Sequence, residues 1–306
     1  MDLNFFKLCS GLKFLGYFMI VLVAAIISVS YYAVVVINWG PLLLQGGLKS
    51  LLSIIIIAVF HFLLGMLLWC YFMVVFRDPG YVPENWKEEP DELNLEDGSS
   101  SSSFVPENLA SNSASDGVEM RPTVSYCNKC KNGKPPRCHH CSICQKCILR
   151  MDHHCIWVVN CVGANNYKFF FLFLVYTFLE TLMNTLVLLP NFIKFFKEAV
   201  NHSVSPGELA ITFLAFVLNL AFALSLLCFV VMHISLLMTN TTSIEVYDKK
   251  KTGGWKYDLG RRRNFEQVFG SNKALWFFPL FSKEDLKNIS ALQGLKFPTR
   301  PASNQV

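Results

Sequence analysis

Apolar residues fall in long blocks along this chain instead of alternating with polar ones. Four blocks are long enough to cross a hydrocarbon core of about 30 Å as helices: Phe14 to Ile37, Leu51 to Phe76, Phe169 to Leu189, and Leu209 to Met238. The first far exceeds the roughly 7–15 apolar residues of a signal peptide, so it reads as a retained span. Between the blocks the pattern changes. Residues 82–120 are acidic and then rich in Ser, Asn and Gly, the composition of a flexible linker. Residues 121–168 concentrate cysteine and histidine, and residues 239–306 form a tail of basic runs and aromatics. No internal repeat stands out. The pattern predicts an α-helical integral membrane protein: residues 1–81 carry spans 1 and 2, residues 169–238 carry spans 3 and 4, and a small cysteine-rich domain lies between the pairs.

Composition agrees, at 53% hydrophobic and 16% charged residues. Charge then orients the loops. Residues 121–168 hold eight Lys or Arg and the tail twelve, against one in residues 38–50 and two in 190–208. By the positive-inside rule both termini and the cysteine-rich segment are expected on the cytosolic face. Basic residues beside aromatics in the tail suit an anionic bilayer surface. Nothing resembles a nucleic-acid recognition module, so no nucleic-acid partner is expected.

Eight of the eleven cysteines lie between Cys127 and Cys161. In a reducing compartment this points to metal binding or catalysis and away from disulfides. Two tetrahedral zinc sites would use eight of the segment's twelve Cys and His donors. Cys127/Cys130 and Cys141/Cys144 have the two-residue gap that lets one tight turn present two thiolates, and Cys147 and Cys161 offer a third for each site. A histidine would complete each set, leaving four donors over. The surplus includes the parts of an activated nucleophile: "DHHC", residues 152–155, offers a thiol, a base and a carboxylate to orient the base.

The spacing of these residues, from Cys127 through Asp152-His153-His154-Cys155 to Cys161, Asn166 and Phe170, resembles the cysteine-rich domain of the DHHC family of protein S-acyltransferases. The run "CVGANNYKFF" suggests a plant member. "DPG" at Asp78 to Gly80, "TSIE" at Thr242 to Glu245 and "NFEQVFG" from Asn264 are similar to further family elements, with Ser243 standing where the family has a second threonine. The resemblance implies one zinc held by Cys127, Cys130, His140 and Cys147 and a second by Cys141, Cys144, His154 and Cys161. It makes Cys155 the nucleophile, His153 its base and Asp152 the group behind the base. Asn166, Phe170, Thr242, Ser243, Glu245 and Asn264 would support the site. The implied reaction moves a long acyl group, such as palmitoyl, from acyl-CoA through a Cys155 thioester to cysteines of proteins at the cytosolic membrane face, in an endomembrane or the plasma membrane.

Two zinc sites of three thiolates and one histidine would each carry −1 and oppose ionisation of Cys155, so a local base is required. The remaining positive charge suits a phosphate-rich donor, and Lys134, Arg137 and His139 are candidates to touch coenzyme A. Trp157, Ser30 and Glu180 are candidates for the acyl site. Glu180 lies about 16 Å into the third span, counting from Phe169. A charged carboxylate facing lipid there is disfavoured, so it is expected to turn inward, hydrogen-bonded to Ser30 or Asn219 or closing the end of an acyl cavity. Two rivals remain: a zinc-dependent interaction scaffold, which would leave Asp152, His153 and Cys155 without work, and a transporter, suggested by intramembrane Glu180, Asn184 and Asn219.

Overall fold

The apolar blocks become four helices long enough to span a bilayer, since in hydrocarbon every backbone polar group must be hydrogen-bonded within the protein. A computed structural model describes residues 5–87, 125–198, 205–246 and 255–300. Helix α1 covers Phe5–Tyr31, α2 Gly47–Phe76, α3 Tyr167–Glu198 and α4 Pro206–Met238. The first span does not stop at Ile37. It continues as a π-helix, Tyr32–Trp39, and a 3-10 turn, Gly40–Gln45. Asn38 Nδ2 donates to the Ala33 carbonyl at 2.6 Å, inserting a side chain into the helical ladder. The third span likewise runs past Leu189, through Pro190. Pro190 removes one backbone donor, and the indole of Trp39 donates to the nearby Val187 carbonyl at 3.3 Å.

The cysteine-rich segment folds as three antiparallel hairpins, β1–β2, β3–β4 and β5–β6, spanning Tyr126–Cys127 with Asn132–Gly133, His139–Cys141 with Lys146–Ile148, and His153–Cys155 with Asn160–Val162. They form a repeat that the reading of the letters missed. Cys127, Cys141 and Cys155 pair with Asn132, Lys146 and Asn160, each cysteine fourteen residues after the last. Each turn closes on a residue of positive φ: Lys131 (50°), Gln145 (57°) and Val159 (51°). "CHHC" at 138–141 is thus the counterpart of "DHHC" at 152–155.

This domain is fastened to the span ends. Asn160 Nδ2 donates to the carbonyls of Val74 and Arg77, both at 2.9 Å, capping the C-terminus of α2. Asp78 Oδ1 accepts from Gly80 N at 2.7 Å, and the turn it makes pairs Gly80 O with Leu149 N at 2.8 Å. Asn166 directly precedes α3, where a helix-capping side chain would sit. Its side chain instead turns back, accepting from Gly163 N at 2.9 Å and donating to Cys161 O at 2.8 Å, so it braces the loop that enters the helix. The start of the expected linker is also docked, with Val82 N on Cys147 O at 3.3 Å and Asn132 Nδ2 on Pro83 O at 2.8 Å. The rest of that linker, 88–120, and the basic run at 249–251 lie outside the described residues.

The tail packs on the same end through α5 (Arg261–Phe269), α6 (Lys283–Asn288) and α7 (Ser290–Gln293). Asn264, fully buried, donates to Met238 O at 2.8 Å and Asp258 Oδ1 at 2.7 Å, tying the end of α4 to the tail. Lys168, 1% exposed, donates to the carbonyls of Leu275 (2.9 Å) and Leu280 (2.5 Å) from the first turn of α3.

Candidate active site and metal centres

The eight expected zinc donors gather into two clusters, Cys127, Cys130, His140 and Cys147, and Cys141, Cys144, His154 and Cys161, with ligand atoms within 4.8 Å of one another. Tetrahedral zinc with Zn–S of about 2.3 Å and Zn–N of about 2.0–2.1 Å places its ligands about 3.6–3.8 Å apart. His140 Nδ1 lies 3.2, 3.7 and 3.9 Å from the sulfurs of Cys130, Cys127 and Cys147. His154 Nδ1 lies 3.4, 3.5 and 3.7 Å from those of Cys144, Cys161 and Cys141. The donor sets fit zinc. Each takes a Cys pair from one hairpin and a His and a Cys from the next, so the ions would staple consecutive hairpins together.

That exchange accounts for the surplus donors. In the third hairpin the position of the second knuckle cysteine, filled by Cys130 and Cys144 in the first two, is held by Val158, and no further hairpin follows to lend a His and a Cys. Cys155 therefore stands where its counterparts bind metal but is claimed by neither cluster. Cys138, the counterpart of Asp152, is buried, and burial pushes its thiol up to about 12.

Around Cys155 the polar groups are matched. His153 Nδ1 meets Asp152 Oδ2 at 2.7 Å, and the Cys155 side chain lies beside the same ring. Asp152 is fully buried and takes two more donors, Ser243 N and Ser243 Oγ, both at 2.9 Å. The serine thus supplies the hydroxyl contact expected at 243. Burial works against charge on Asp152, but the His153 and Ser243 donors overcome it and hold its carboxyl below the ordinary range. Burial also opposes protonation of His153, yet Asp152 and Cys155 outweigh it and raise the imidazole to about 9. The His153 ring packs edge-on to Phe170, centroids 5.1 Å apart.

Ser243 is held by its neighbours. Thr242 N donates to Glu245 Oε2 at 2.9 Å and Glu245 N to Thr242 Oγ1 at 3.3 Å, a reciprocal capping pair. Glu245 in turn receives Arg137 through two bonds of 2.7 Å. Here an expectation fails. Arg137 is buried, gives two more hydrogen bonds to Asn240, and stacks within 5 Å of the Tyr257 and Phe297 rings, so it is not free to meet a coenzyme phosphate. Lys134 stays half-buried beside the first zinc cluster, and His139 is half-buried in β3, paired across to Ile148.

Cys155 and His153 line the mouth of a cavity of about 640 Å³ that descends among all four spans. Trp157, Phe170, Phe173, Leu226 and Phe229 line its walls, and Ser30, Glu180, Asn184 and Asn219 its far end. Glu180 does turn inward, but the hydrogen bonds expected to Ser30 or Asn219 are absent, because those two bond each other at 2.9 Å. Below this floor, Val34, Phe60, Leu188 and Phe216 close the bundle.

Sequence reasoning missed Asn160, Lys168 and His233. The last, buried on α4, lines the cavity and pairs through Nδ1 with Tyr167 Oη at 3.0 Å, its ring 6.3 Å from that of His153. A polar residue amid an apolar span was the available signal.

Four spans, a zinc-knuckle domain at one end and an unclaimed cysteine next to a His–Asp pair define a multi-pass membrane protein with a Cys–His–Asp group at the mouth of an intramembrane cavity. Residues 121–250 match the family model described as DHHC palmitoyltransferase. The chain is 59% identical to "Probable protein S-acyltransferase 12" of Arabidopsis thaliana, over 97% of this chain and 98% of that protein. It is 56% identical to "Probable protein S-acyltransferase 14" of the same plant, over 97% and 95%. At 33% identity it matches "Palmitoyltransferase ZDHHC15A" of Danio rerio over 87% of this chain and 81% of that one. This chain belongs to the DHHC palmitoyltransferase family, among its plant members.

Proposed function

We propose that this protein is a protein S-acyltransferase that moves a long acyl group from acyl-CoA to cysteines of membrane-associated proteins through a thioester on Cys155. One observation carries the reading: Cys155, left out of both metal clusters, sits beside the His153–Asp152 pair at the mouth of an apolar cavity. His153 takes the Cys155 proton, and the thiolate attacks the thioester carbon of acyl-CoA. The carbon–sulfur bond to coenzyme A breaks as the bond to Cys155 Sγ forms, and the proton leaves on the coenzyme A thiol. A protein thiol repeats the exchange in reverse. Zinc, when bound, fixes the hairpins that place these groups.

Location supports the same chemistry. Burial of each methylene is worth about 0.8 kcal/mol, so drawing a sixteen-carbon chain into water would cost on the order of 10 kcal/mol. A cavity opening at the sulfur and lined by Trp157, Phe170 and Phe173 spares the chain that exposure. Ser30 and Glu180 at its end would limit chain length. Lys134 and His139 are the remaining candidates to touch coenzyme A. The N-terminal part of α1 approaches the third hairpin, where a Cβ on Gly16 would meet Val159 at 2.9 Å. This, with the docked tail and the positive loops, supports both termini on the cytosolic side.

Labelling the purified protein with acyl-CoA tests the function. A hydroxylamine-sensitive adduct is expected in the wild type and none in Cys155→Ser, with zinc content equal in both. A thioester that persists in the mutant overturns the assignment.

A further inference from the structure

His233 is a polar side chain buried in an apolar span, 2% exposed, and the thioester chemistry above gives it no part. Its Nδ1 pairs with Tyr167 Oη at 3.0 Å, and that nitrogen is the phenol's one hydrogen-bond partner among the described residues. A buried hydroxyl without an acceptor is costly, so Tyr167 donates and Nδ1 accepts. The proton of the neutral imidazole then sits on Nε2. Nε2 has no hydrogen-bond partner among the described residues, yet it is not sealed in the core, so this N–H opens onto the cavity that His233 lines.

The donor sits beside the reacting groups. The His153 and His233 rings stand 6.3 Å apart, and the Phe170 ring lies 5.1 Å from the first and 5.3 Å from the second. Cys155 lies next to His153 and lines the same cavity. His153, His154 and Ser243 line it too, but each has other work. His153 Nδ1 is on Asp152, His154 Nδ1 faces the thiolates of the second cluster, and Ser243 Oγ donates to Asp152.

We propose that His233 is a further catalytic residue, whose Nε2–H hydrogen-bonds the thioester carbonyl oxygen and stabilises the negative charge that this oxygen gains when sulfur attacks. The inference rests on the acyltransferase reading above and adds a group to it. Attack of Cys155 Sγ on the acyl carbon moves the carbonyl π pair onto oxygen. Collapse of the tetrahedral adduct returns that pair and expels the coenzyme A sulfur, which takes the proton that His153 removed from Cys155. His233 keeps its own proton throughout. When a protein thiol attacks the Cys155 thioester, the same oxyanion forms at the same carbon. A donor fixed before substrate arrives, here by Tyr167, and placed among apolar walls stabilises such charge far better than water does.

The test uses the full-length protein in detergent and follows two reactions of Cys155 by mass spectrometry of its peptide: thioester formation from palmitoyl-CoA and alkylation by iodoacetamide. Alkylation uses the same thiol, His153 and Asp152 but passes through no oxyanion. His233→Leu is expected to lower the maximal acylation rate about 100-fold or more, with the KM for palmitoyl-CoA and the alkylation rate nearly unchanged. Transfer from acylated Cys155 to a small thiol should fall by a similar factor. His233→Gln, whose amide keeps an N–H, should retain more of the acylation rate than His233→Leu. Equal losses in acylation and alkylation overturn the proposal and leave a bond that merely ties α3 to α4. So does an unchanged acylation rate. If His233→Leu does not fold, Tyr167→Phe decides: it keeps the ring and releases the tautomer, so acylation should fall while alkylation does not, and any other pattern overturns the proposal. Absence of a thioester on the wild type, with Cys155 still alkylated, would overturn the acyltransferase reading instead.

Discussion

The mouth and the floor of the cavity both bury polar side chains, but only the mouth matches them. At the mouth, Asp152 accepts from His153 and twice from Ser243, and the segment carrying Ser243 is fixed by the Arg137–Glu245 pair. At the floor, Glu180 accepts nothing from the protein. A satisfied buried network rigidifies, and an unsatisfied one costs stability. In the function proposed above, the mouth holds a thiol, a base and a carboxylate in register before substrate arrives.

The largest way to break the mouth is to remove metal. His154→Ala takes one donor from the second cluster and is expected to lose about one zinc per chain, with the domain destabilised, since structural zinc supplies folding free energy on the order of 10 kcal/mol. His153→Ala keeps both donor sets intact and should keep both metals while losing acylation rate. Metal analysis of the two purified variants checks this, and the reverse pattern would show that the two histidines have been exchanged.

Next in size is the ion pair behind the TSIE segment. Arg137→Ala leaves Glu245 buried without its cation, a change that costs about 3–5 kcal/mol in buried pairs. A lower thermal midpoint in detergent is expected together with weaker acylation, because Thr242 and Ser243 lose their anchor. If Arg137 were instead a coenzyme contact, its loss would raise the KM for acyl-CoA and leave the thermal midpoint unmoved.

This residue also marks the boundary of what the letters disclose. The two-residue gaps of Cys127/Cys130 and Cys141/Cys144 identify knuckles because a metal constrains local spacing. Arg137 reads as a coenzyme contact because its partner Glu245 is 108 residues away, and no local pattern links them. Asn160 and Lys168 escaped notice similarly: each bonds backbone carbonyls, which leave no trace in composition. The fourteen-residue repeat was present in "CHHC" and "DHHC" yet hidden, since Gly133 stands where the later copies have Cys147 and Cys161. The apolar blocks end at Ile37 and Leu189, yet the helices run on through Asn38 and Pro190. Inside a bundle polar side chains reach the backbone there, Asn38 the Ala33 carbonyl and Trp39 the Val187 carbonyl.

A smaller effect is expected at Ser243. Its hydroxyl supplies one of three donors to a buried carboxylate, and a hydrogen bond to a charged group contributes about 1.5–3 kcal/mol. Ser243→Ala keeps the backbone bond to Asp152 and is expected to slow Cys155 acylation about 10-fold, near the low end of that range. Ser243→Thr restores the hydroxyl and should restore the rate. If alanine and threonine behaved alike, orientation of Asp152 would not depend on the side chain at 243.

The smallest change should carry the opposite sign. Glu180→Leu replaces the carboxyl with an apolar group of similar size where no protein hydrogen bond is lost. The neighbouring Asn184–Asn219–Ser30 chain keeps its own bonds. Removing an unmatched buried polar group relieves a penalty of about 1–3 kcal/mol, lowered here because the cavity can admit water to the group. The thermal midpoint of the variant without substrate is therefore expected to rise slightly, whereas every substitution at the mouth lowers it. Asn219→Ala sharpens the contrast: it breaks bonds to both Ser30 and Asn184 and should lower the midpoint although it lies on the same floor. A clear fall in Glu180→Leu would mean that the carboxyl is bonded in the working protein, and the division between a matched mouth and an unmatched floor would not hold.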